Sequence, residues 1–466
     1  MNTKDSEARG KLKIPPIIKK ENLIKVLLSF LLPLSIVMFN PMAMTFNQCM
    51  VLGSLFLTVV WWGTGWVYKD AASIFLLIMF VIFGGTPLKK VFYFPLSGNF
   101  TLVIASFLLS QGIVNSKVAD KFSSFVLKKY CTSSIRLVIM SFVLGIGLIF
   151  LIPQPFPRVI LLASIYLDFL KKTDVNEEAK KILVLSVFVA SSVTSLMFLN
   201  GDVIINYSAM KFGGINLTYA EWAKYMTLPT LVTTVIIAIA FIFVFKKNLG
   251  DKFEIADEAD SLKFDSKGKL ALGITGLTIG LWLTEAFHGI TPSTVALIGV
   301  ALMFLTRVVR LRDFNVVSIS LLIFLTAEFS IGKVLAGSGT AAVLSDFLTG
   351  FFPGAESIFY IPFIIVLIMV LHSIMGSLVT ATSVLIPTLI TITAGNLSPT
   401  FIVLLSCAAI CFHYILPFHH VSIMIGFGNG FYDNKHVIKL GGTLTLITLG
   451  TILFVYIPWW KIVGVL

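Results

Sequence analysis

The stretch Ile152-Pro153-Gln154-Pro155-Phe156-Pro157-Arg158 lies in the middle of an apolar run that covers residues 136–170. A membrane-spanning helix needs about 20 apolar residues, so this run is too long for one crossing. Its three prolines end a helix, because each lacks an amide donor and restricts the residue before it. We therefore predict a re-entrant hairpin, which enters and leaves the membrane on the same side and has this stretch at its tip.

The rest of the chain has the composition of a membrane protein. Its 466 residues are 57% hydrophobic and 12% charged, and the mean hydropathy is +0.96, whereas soluble domains are typically about 25% charged. We assign the net charge of +12 to membrane topology and not to nucleic-acid binding. The four cysteines have no metal-ligand spacing and predict no disulfide framework.

A second run, residues 356–395, is also too long for one crossing and is predicted to be a second re-entrant hairpin. Eleven further segments have the length and hydropathy of transmembrane helices. They are residues 26–42, 48–68, 71–86, 99–115, 182–207, 223–245, 270–288, 290–307, 314–334, 399–428 and 441–461. The sequence thus predicts an all-α polytopic membrane protein with 11 transmembrane helices and two re-entrant hairpins.

The loop charges predict the orientation, because lysine and arginine favour cytoplasmic loops. With the N-terminus inside and the C-terminus outside, cytoplasmic segments hold 28 of the 35 Lys and Arg residues, Lys69 among them, and outer segments hold 6. Residues 1–25 are then a retained cytoplasmic tail. The polar residues 246–269 form a cytoplasmic linker between two halves, residues 26–245 and 270–466.

The two halves resemble each other. Residues 107–126 align with residues 329–348 at an offset of 222, so that Ser116 meets Ser338, Ala119 meets Ala341 and Phe125 meets Phe347. Each half contains a hairpin and then a span with a polar middle, and the hairpins open from opposite sides. This pattern predicts an inverted repeat, which is typical of secondary transporters that bind substrate near the membrane midplane.

Polar residues at the hairpin tips and in the interrupted spans are the candidate site, because non-helical backbone at membrane depth lines a cavity or is buried in protein. Those predicted to bind substrate are Gln154, Arg158, Asn200, Ser377, Thr380, Thr382, His419 and His420. Those predicted to bind a coupling ion are Thr194, Ser195, Asp202 and Ser383.

Structural roles are the alternatives for these residues. The hydroxyl residues of the second tip would only allow close helix packing. Asp202 would be a helix cap, and the histidines would lie at the membrane interface. Arg158 would neutralise an anionic substrate or pair with a carboxylate, and Glu328 is a weaker candidate that would pair with Lys333.

The chain resembles the divalent anion:sodium symporter (DASS) family from about residue 48 to its C-terminus. The resemblance rests on FLLSQGIVNSKVADKF within residues 48–130, the GSG turn at 337–339, ATSVLIP at 381–387 and ILPFHHVSIMIGFGNG at 415–430. It implies 11 spans with two opposed hairpins, a homodimer and an elevator-type motion. The Ser-Asn-Thr motif of the family's tips is replaced here by Pro153-Gln154-Pro155 at the first tip. At the second tip it is replaced by Ser377-Leu378-Val379 or, with a shift of the alignment, by Thr380-Ala381-Thr382.

The resemblance implies a secondary active transporter of a small anion, such as a dicarboxylate, citrate or sulfate, in the cell membrane. Because both tips lack the asparagine, the coupling ion is left open between Na⁺ and H⁺. A proton-coupled or uncoupled exchanger of another anion is the alternative, and a sensor or lipid-handling protein on this fold is a further one. No cofactor or nucleic-acid partner is expected, and no nucleophile–base spacing points to an enzyme.

Overall fold

The structure, a computed structural model, describes residues 22–40, 42–250, 253 and 263–466, and these residues form helices and no strand. Residues 1–21 of the predicted tail therefore lie outside the described residues. Residues 251, 252 and 254–262 of the predicted linker also lie outside them. The helices of the first half are α1 (Leu23–Ser29), α2 (Leu31–Phe39), α3 (Phe46–Thr64), α4 (Lys69–Phe83), α5 (Leu88–Val91), α6 (Gly98–Asn115), α7 (Val118–Tyr130), α8 (Ser134–Gly147), α9 (Pro155–Leu170), α10 (Glu177–Thr194), α11 (Val203–Phe212) and α12 (Tyr219–Phe245).

The helices of the second half follow a similar order. They are α13 (Ser266–Leu283), α14 (Glu285–His288), α15 (Pro292–Leu305), α16 (Ile319–Gly337), α17 (Thr340–Thr349), α18 (Tyr360–Met375), α19 (Leu378–Ile392), α20 (Pro399–Cys411), α21 (Val421–Gly428), α22 (Asn434–Thr451) and α23 (Ile457–Val463). A single wider turn, Ile452–Tyr456, joins α22 to α23.

Four stretches of helix among the described residues are long and apolar enough to cross a membrane, namely Gly98–Asn115, Tyr219–Phe245, Ile319–Gly337 and Asn434–Val463. Most other apolar helices are shorter, because the chain is interrupted where the sequence is polar or rich in proline and glycine. The predicted spans 182–207 and 399–428 are each divided into two helices. The predicted span 26–42 also contains two short helices, α1 and α2.

The helices pack into two groups. The first, here called the flanking bundle, consists of α3, α4, α6, α13, α15 and α16. Within it α4 packs against α16, and α15 packs against α6. Each of these contacts joins a helix of the first half to a helix of the second half. The second group, here called the broken-helix bundle, consists of α8 to α12 and α18 to α23. In this bundle α10 packs against α8 and α9, and α20 packs against α18 and α19.

The aligned segments of the two halves follow the same backbone path. Ser116 and Ser338 are the residues that end α6 and α16. The next residues, Lys117 and Gly339, both adopt positive φ angles, of 54° and 73°. A new helix starts directly afterwards in both halves. The residue match at offset 222 therefore corresponds to a shared turn geometry.

An ion-pair network ties the start of α10 to the start of α22. Glu178 lies 2.8 Å from the ammonium of Lys435 and 3.0 Å from Nε2 of His436. Both carboxylate oxygens of Asp433 accept hydrogen bonds of 3.1 Å from Lys181. The ligand atoms of Glu178, Asp433 and His436 lie within 4.8 Å of one another. Because lysine ammonium groups already bond to both carboxylates, the group is an ion-pair network.

The network predicts a weak dependence of stability on acid. Hydrogen bonds from Lys435 and His436 lower the pKa of Glu178 from 4.5 to about 2. A depressed pKa contributes stability that is present above the ordinary value and is lost as the pH falls toward 2. We expect the melting temperature of the wild type to fall more steeply over this range than that of Glu178→Gln. Glu177→Gln is the control, since Glu177 pairs with Lys180 on its own helix, and an equal slope in Glu178→Gln would contradict the prediction.

Candidate functional site

Four helices of the broken-helix bundle begin at one cavity of about 250 Å³. The residues that precede the first residues of α9, α11, α19 and α21 all line this cavity, and they are Gln154, Asp202, Ser377 and His420. These four residues are extended, with φ between −145° and −125°. All four were predicted as site residues, and the structure brings them together from four separate parts of the chain.

The local sequence explains why helices start here. Pro155 is the first residue of α9, a position where the missing amide donor costs nothing. Gly376 ends α18 with a φ of 65°, and Ser377 then caps α19 by accepting a hydrogen bond from the amide of Thr380. Asp202 caps α11 in the same way, accepting from the amide of Ile205 at 3.1 Å. The cap role considered for Asp202 is thus the one it has in this structure.

The convergence of four helix starts makes the cavity favourable for an anion. The amide groups of the first helical turn have no partner within the helix, and the helix dipole is positive at this end. Gln154 and His420 make no capping hydrogen bond with their side chains. The Nε2 atom of Gln154 and the Nδ1 atom of His420 are buried without a hydrogen-bond partner among the described residues. These groups are available to a bound ligand.

A lysine completes the cavity from the flanking bundle. Lys69 lines the cavity, and its ammonium lies 3.4 Å from the centre of the Phe324 ring. The Phe324 ring is itself held edge-on by Trp62 at 4.9 Å, so the cation rests on a fixed aromatic face. The charge count had assigned Lys69 to a cytoplasmic turn. Its position two residues before the predicted span 71–86 was the one signal that it borders the apolar region.

Arg158 lies behind the first tip and does not line the cavity. It is fully buried, and its guanidinium donates hydrogen bonds to the carbonyls of Ile152 at 3.1 Å, Gly201 at 3.1 Å and Ser191 at 3.5 Å. Asp202 attracts it electrostatically. Arg158 therefore joins the first tip to the break between α10 and α11 and satisfies carbonyls that no helix satisfies.

Two asparagine side chains also donate hydrogen bonds to backbone carbonyls at the break between α10 and α11. Asn200 donates from Nδ2 to the carbonyl of Ile149 at 3.3 Å. Asn206, which the sequence analysis missed, donates to the carbonyl of Ser195 at 3.2 Å and to that of Leu199 at 3.2 Å. An asparagine in the first turn after a predicted break was the available signal.

Several predicted residues do not line the cavity. The hydroxyls of Thr194, Ser195, Thr382 and Ser383 donate to carbonyls of their own helices. His419 does not line the cavity, and its backbone carbonyl lies 3.2 Å from Nε2 of His372. None of these five residues lines the cavity.

Thr380 and Ser377 point at a carboxylate. Their hydroxyls donate to Oε1 of Glu328 at 3.1 Å and 3.0 Å. The suggested pairing of Glu328 with Lys333 is wrong, since the Lys333 ammonium lies instead over the Tyr93 ring at 4.2 Å from its centre. The spacing of five residues places Lys333 on a different side of α16.

The break between α10 and α11 depends on Gly201. A Cβ atom at this position would collide with the backbone carbonyl of Ser195. We expect Gly201→Ala to destabilise the protein by about 1–3 kcal/mol, as other overpacked sites do, and to lower its melting temperature in detergent. Gly147→Ala is the matched control, because a Cβ at Gly147 meets nothing within 4 Å. Equal melting temperatures for the two variants would show that the break tolerates a side chain.

Several interrupted helices that start at one cavity are typical of membrane transporters. The chain is a member of the family described as the sodium:sulfate symporter transmembrane region, which it matches over residues 20–466. It is also similar to the chloroplastic dicarboxylate transporter 1 of Arabidopsis thaliana, with 30% identity over 139 residues. That similarity covers 28% of this chain and 25% of the relative. The predicted DASS membership is thereby confirmed, and the chain spans about a quarter of the length of the curated relative that it matches.

Proposed function

We propose that this protein is a secondary active transporter of a small divalent anion, in particular a dicarboxylate. The observation that carries the proposal is the cavity in which four helix starts face the ammonium of Lys69. A dicarboxylate has two anionic ends, and the cavity offers positive groups on both of its walls. The chloroplastic relative is named as a dicarboxylate transporter.

The proposed architecture is the predicted inverted repeat, with halves at residues 26–245 and 270–466, 11 spans and two re-entrant hairpins. The helix pairs α8–α9 and α18–α19 are the proposed hairpins. Each pair packs against the first part of the broken helix that follows it, α10 or α20. The broken-helix bundle is the proposed moving part of an elevator, and the flanking bundle is the static part that holds Lys69.

The proposed orientation has the N-terminus in the cytoplasm and the C-terminus outside. Lys69 and Ser318, which line the cavity, lie at helix starts that the charge count assigns to the cytoplasmic side. The cavity would then open inward in this conformation. A homodimer in the cell membrane is part of the proposal, and it rests on the family resemblance.

Substrate binding is proposed for Gln154, Ser377, His420 and Lys69, with Arg158 and Asn200 holding the first tip in place. The other predicted contacts, Thr380, Thr382 and His419, would act from behind the cavity surface. Asp202 with Thr194, Ser195 and Ser383 stays a proposal for a coupling-ion site. Asp202 lines the cavity and is 7% exposed, so an ion in the cavity would reach it.

Uptake of labelled succinate into proteoliposomes tests this function. Sodium and potassium gradients are compared at constant pH, and a pH gradient is then imposed without sodium. Net accumulation along either gradient supports a secondary active transporter and identifies its ion. Uptake that needs internal succinate supports the exchanger instead. No flux of succinate, citrate or sulfate under any gradient would contradict the proposal.

A further inference from the structure

Glu328 is a buried carboxylate at the contact between the two bundles. It lies on α16 of the flanking bundle and has no exposed surface. Its Oε1 atom accepts hydrogen bonds from Ser377 and Thr380, which belong to the start of α19 in the broken-helix bundle. The anion site described above has no use for this acidic group, which lies beside the cavity wall and not on it.

The second oxygen of this carboxylate has no partner. Oε2 of Glu328 is buried and makes no hydrogen bond within the described residues. None of the ion pairs among those residues includes Glu328. A buried carboxylate that is ionised and unpaired is very costly, and such a group neutralises itself by binding a proton. Two hydroxyl donors occupy Oε1, so Oε2 is the oxygen that is available to a proton.

No charged group among the described residues forms an ion pair with Glu328. Lys69 on α4 attracts Glu328 electrostatically, but its ammonium rests on the Phe324 ring, one turn away on α16. Among the described residues, none of the other ionisable groups on the elements packed against α16 forms an ion pair or a hydrogen bond with Glu328. They are Cys49 on α3, Asp70 on α4, Lys89 and Lys90 on α5, and Asp346 on α17. Helix α19 has no ionisable residue.

We propose that Glu328, together with the Ser377 and Thr380 hydroxyls, forms the proton-binding site that couples transport to a pH gradient. This inference rests on the proposed anion transport and names its coupling ion. The carboxylate takes a proton from hydronium and releases water on one side of the membrane. It returns the proton to water on the other side, so no further reactant is needed.

The position of Glu328 between the bundles supplies the coupling. The two hydroxyl bonds exist only while the start of α19 is docked against α16. Displacement of the broken-helix bundle removes both hydroxyls and lets water reach the carboxylate. The affinity of Glu328 for a proton then differs between the two conformations, and by linkage a proton shifts the balance between them. The same bundle carries most of the anion site, so proton and anion movements are tied together.

Proteoliposomes loaded at alkaline pH and diluted into acidic buffer test the proposal. We expect the wild type to accumulate labelled succinate along the pH gradient. Glu328→Gln should accumulate about tenfold less succinate than the wild type. Glu356→Gln, which changes an exposed acid in the loop before α18, should accumulate succinate like the wild type. Full accumulation by Glu328→Gln, or accumulation by the wild type that follows sodium and ignores pH, would overturn the proton site.

A second measurement does not depend on transport. The infrared spectrum of the purified protein at neutral pH should contain the C=O stretch of a protonated carboxyl, which shifts in heavy water. This band should be lost in Glu328→Gln and kept in Glu356→Gln. A protein that transports no anion but shows the band would refute the proposed function and keep the proton site. An unchanged band in Glu328→Gln would refute the proton site alone.

Discussion

Replacement of Lys69 by methionine is expected to raise the KM for succinate by roughly 10- to 100-fold, because a charge-assisted contact contributes about 1.5–3 kcal/mol. The Lys69 ammonium is the cation of the flanking bundle that lines the cavity, and it rests on the Phe324 ring. Methionine keeps most of the apolar stem against that ring and removes the charge. The rate at saturating succinate should change less than the KM.

Two further variants test whether the change in KM comes from the loss of the Lys69 charge. Lys69→Arg keeps a cation over the ring and should recover part of the lost affinity, although the guanidinium has a different shape. Lys129→Met removes an exposed lysine that also lies near an aromatic ring, at 5.3 Å from the centre of Phe125. It should leave the KM unchanged. A KM for Lys69→Met that equals the wild-type value would remove Lys69 from the anion site.

Arg158→Met should destabilise the folded protein by about 3–5 kcal/mol, the cost of breaking a buried charge network. The variant leaves the carbonyls of Ile152, Ser191 and Gly201 without their donor in a buried region. It also separates the first tip from the break between α10 and α11. Succinate transport should be lost, and the melting temperature in detergent should fall by roughly 5 °C or more.

Matched variants separate the role of the buried Arg158 guanidinium from a general effect of charge. Arg136→Met removes an exposed arginine that bonds to Thr132 at 2.8 Å, and it should melt like the wild type. Arg158→Lys keeps the charge but cannot reach three carbonyls in the same geometry, so an intermediate melting temperature is expected. Wild-type stability and transport in Arg158→Met would mean that the tip is held by other contacts.

The interruptions of the helices were predictable from local sequence. The Pro153-Gln154-Pro155 stretch predicts a break, and α8 ends at Gly147 while α9 begins at Pro155. The polar residues around Asn200-Gly201-Asp202 predict the interruption of the next span, and α11 starts directly after Asp202. Both predictions succeed because prolines, glycines and capping side chains act on the backbone within a few residues.

The roles of individual polar residues were less predictable. Thr194 and Ser383 are polar residues in apolar helices, and they donate to the carbonyls of their own helices. A hydroxyl that is satisfied in this way looks the same in the sequence as one that binds an ion. The sequence left two roles for Arg158, binding an anion or pairing with a carboxylate. In the structure its guanidinium donates to backbone carbonyls and lies near Asp202.

The sequence by itself determined that this is a helical membrane protein, where its helices are interrupted and to which family it belongs. These properties follow from hydropathy, local backbone chemistry and motif order, all of which act over short distances along the chain. Only the tertiary structure decided that Lys69 faces the four helix starts and that Glu328 meets Ser377 and Thr380. These contacts join residues that are far apart in the chain. Helix packing selects them, and no periodicity within one helix encodes which side chains of two bundles will meet.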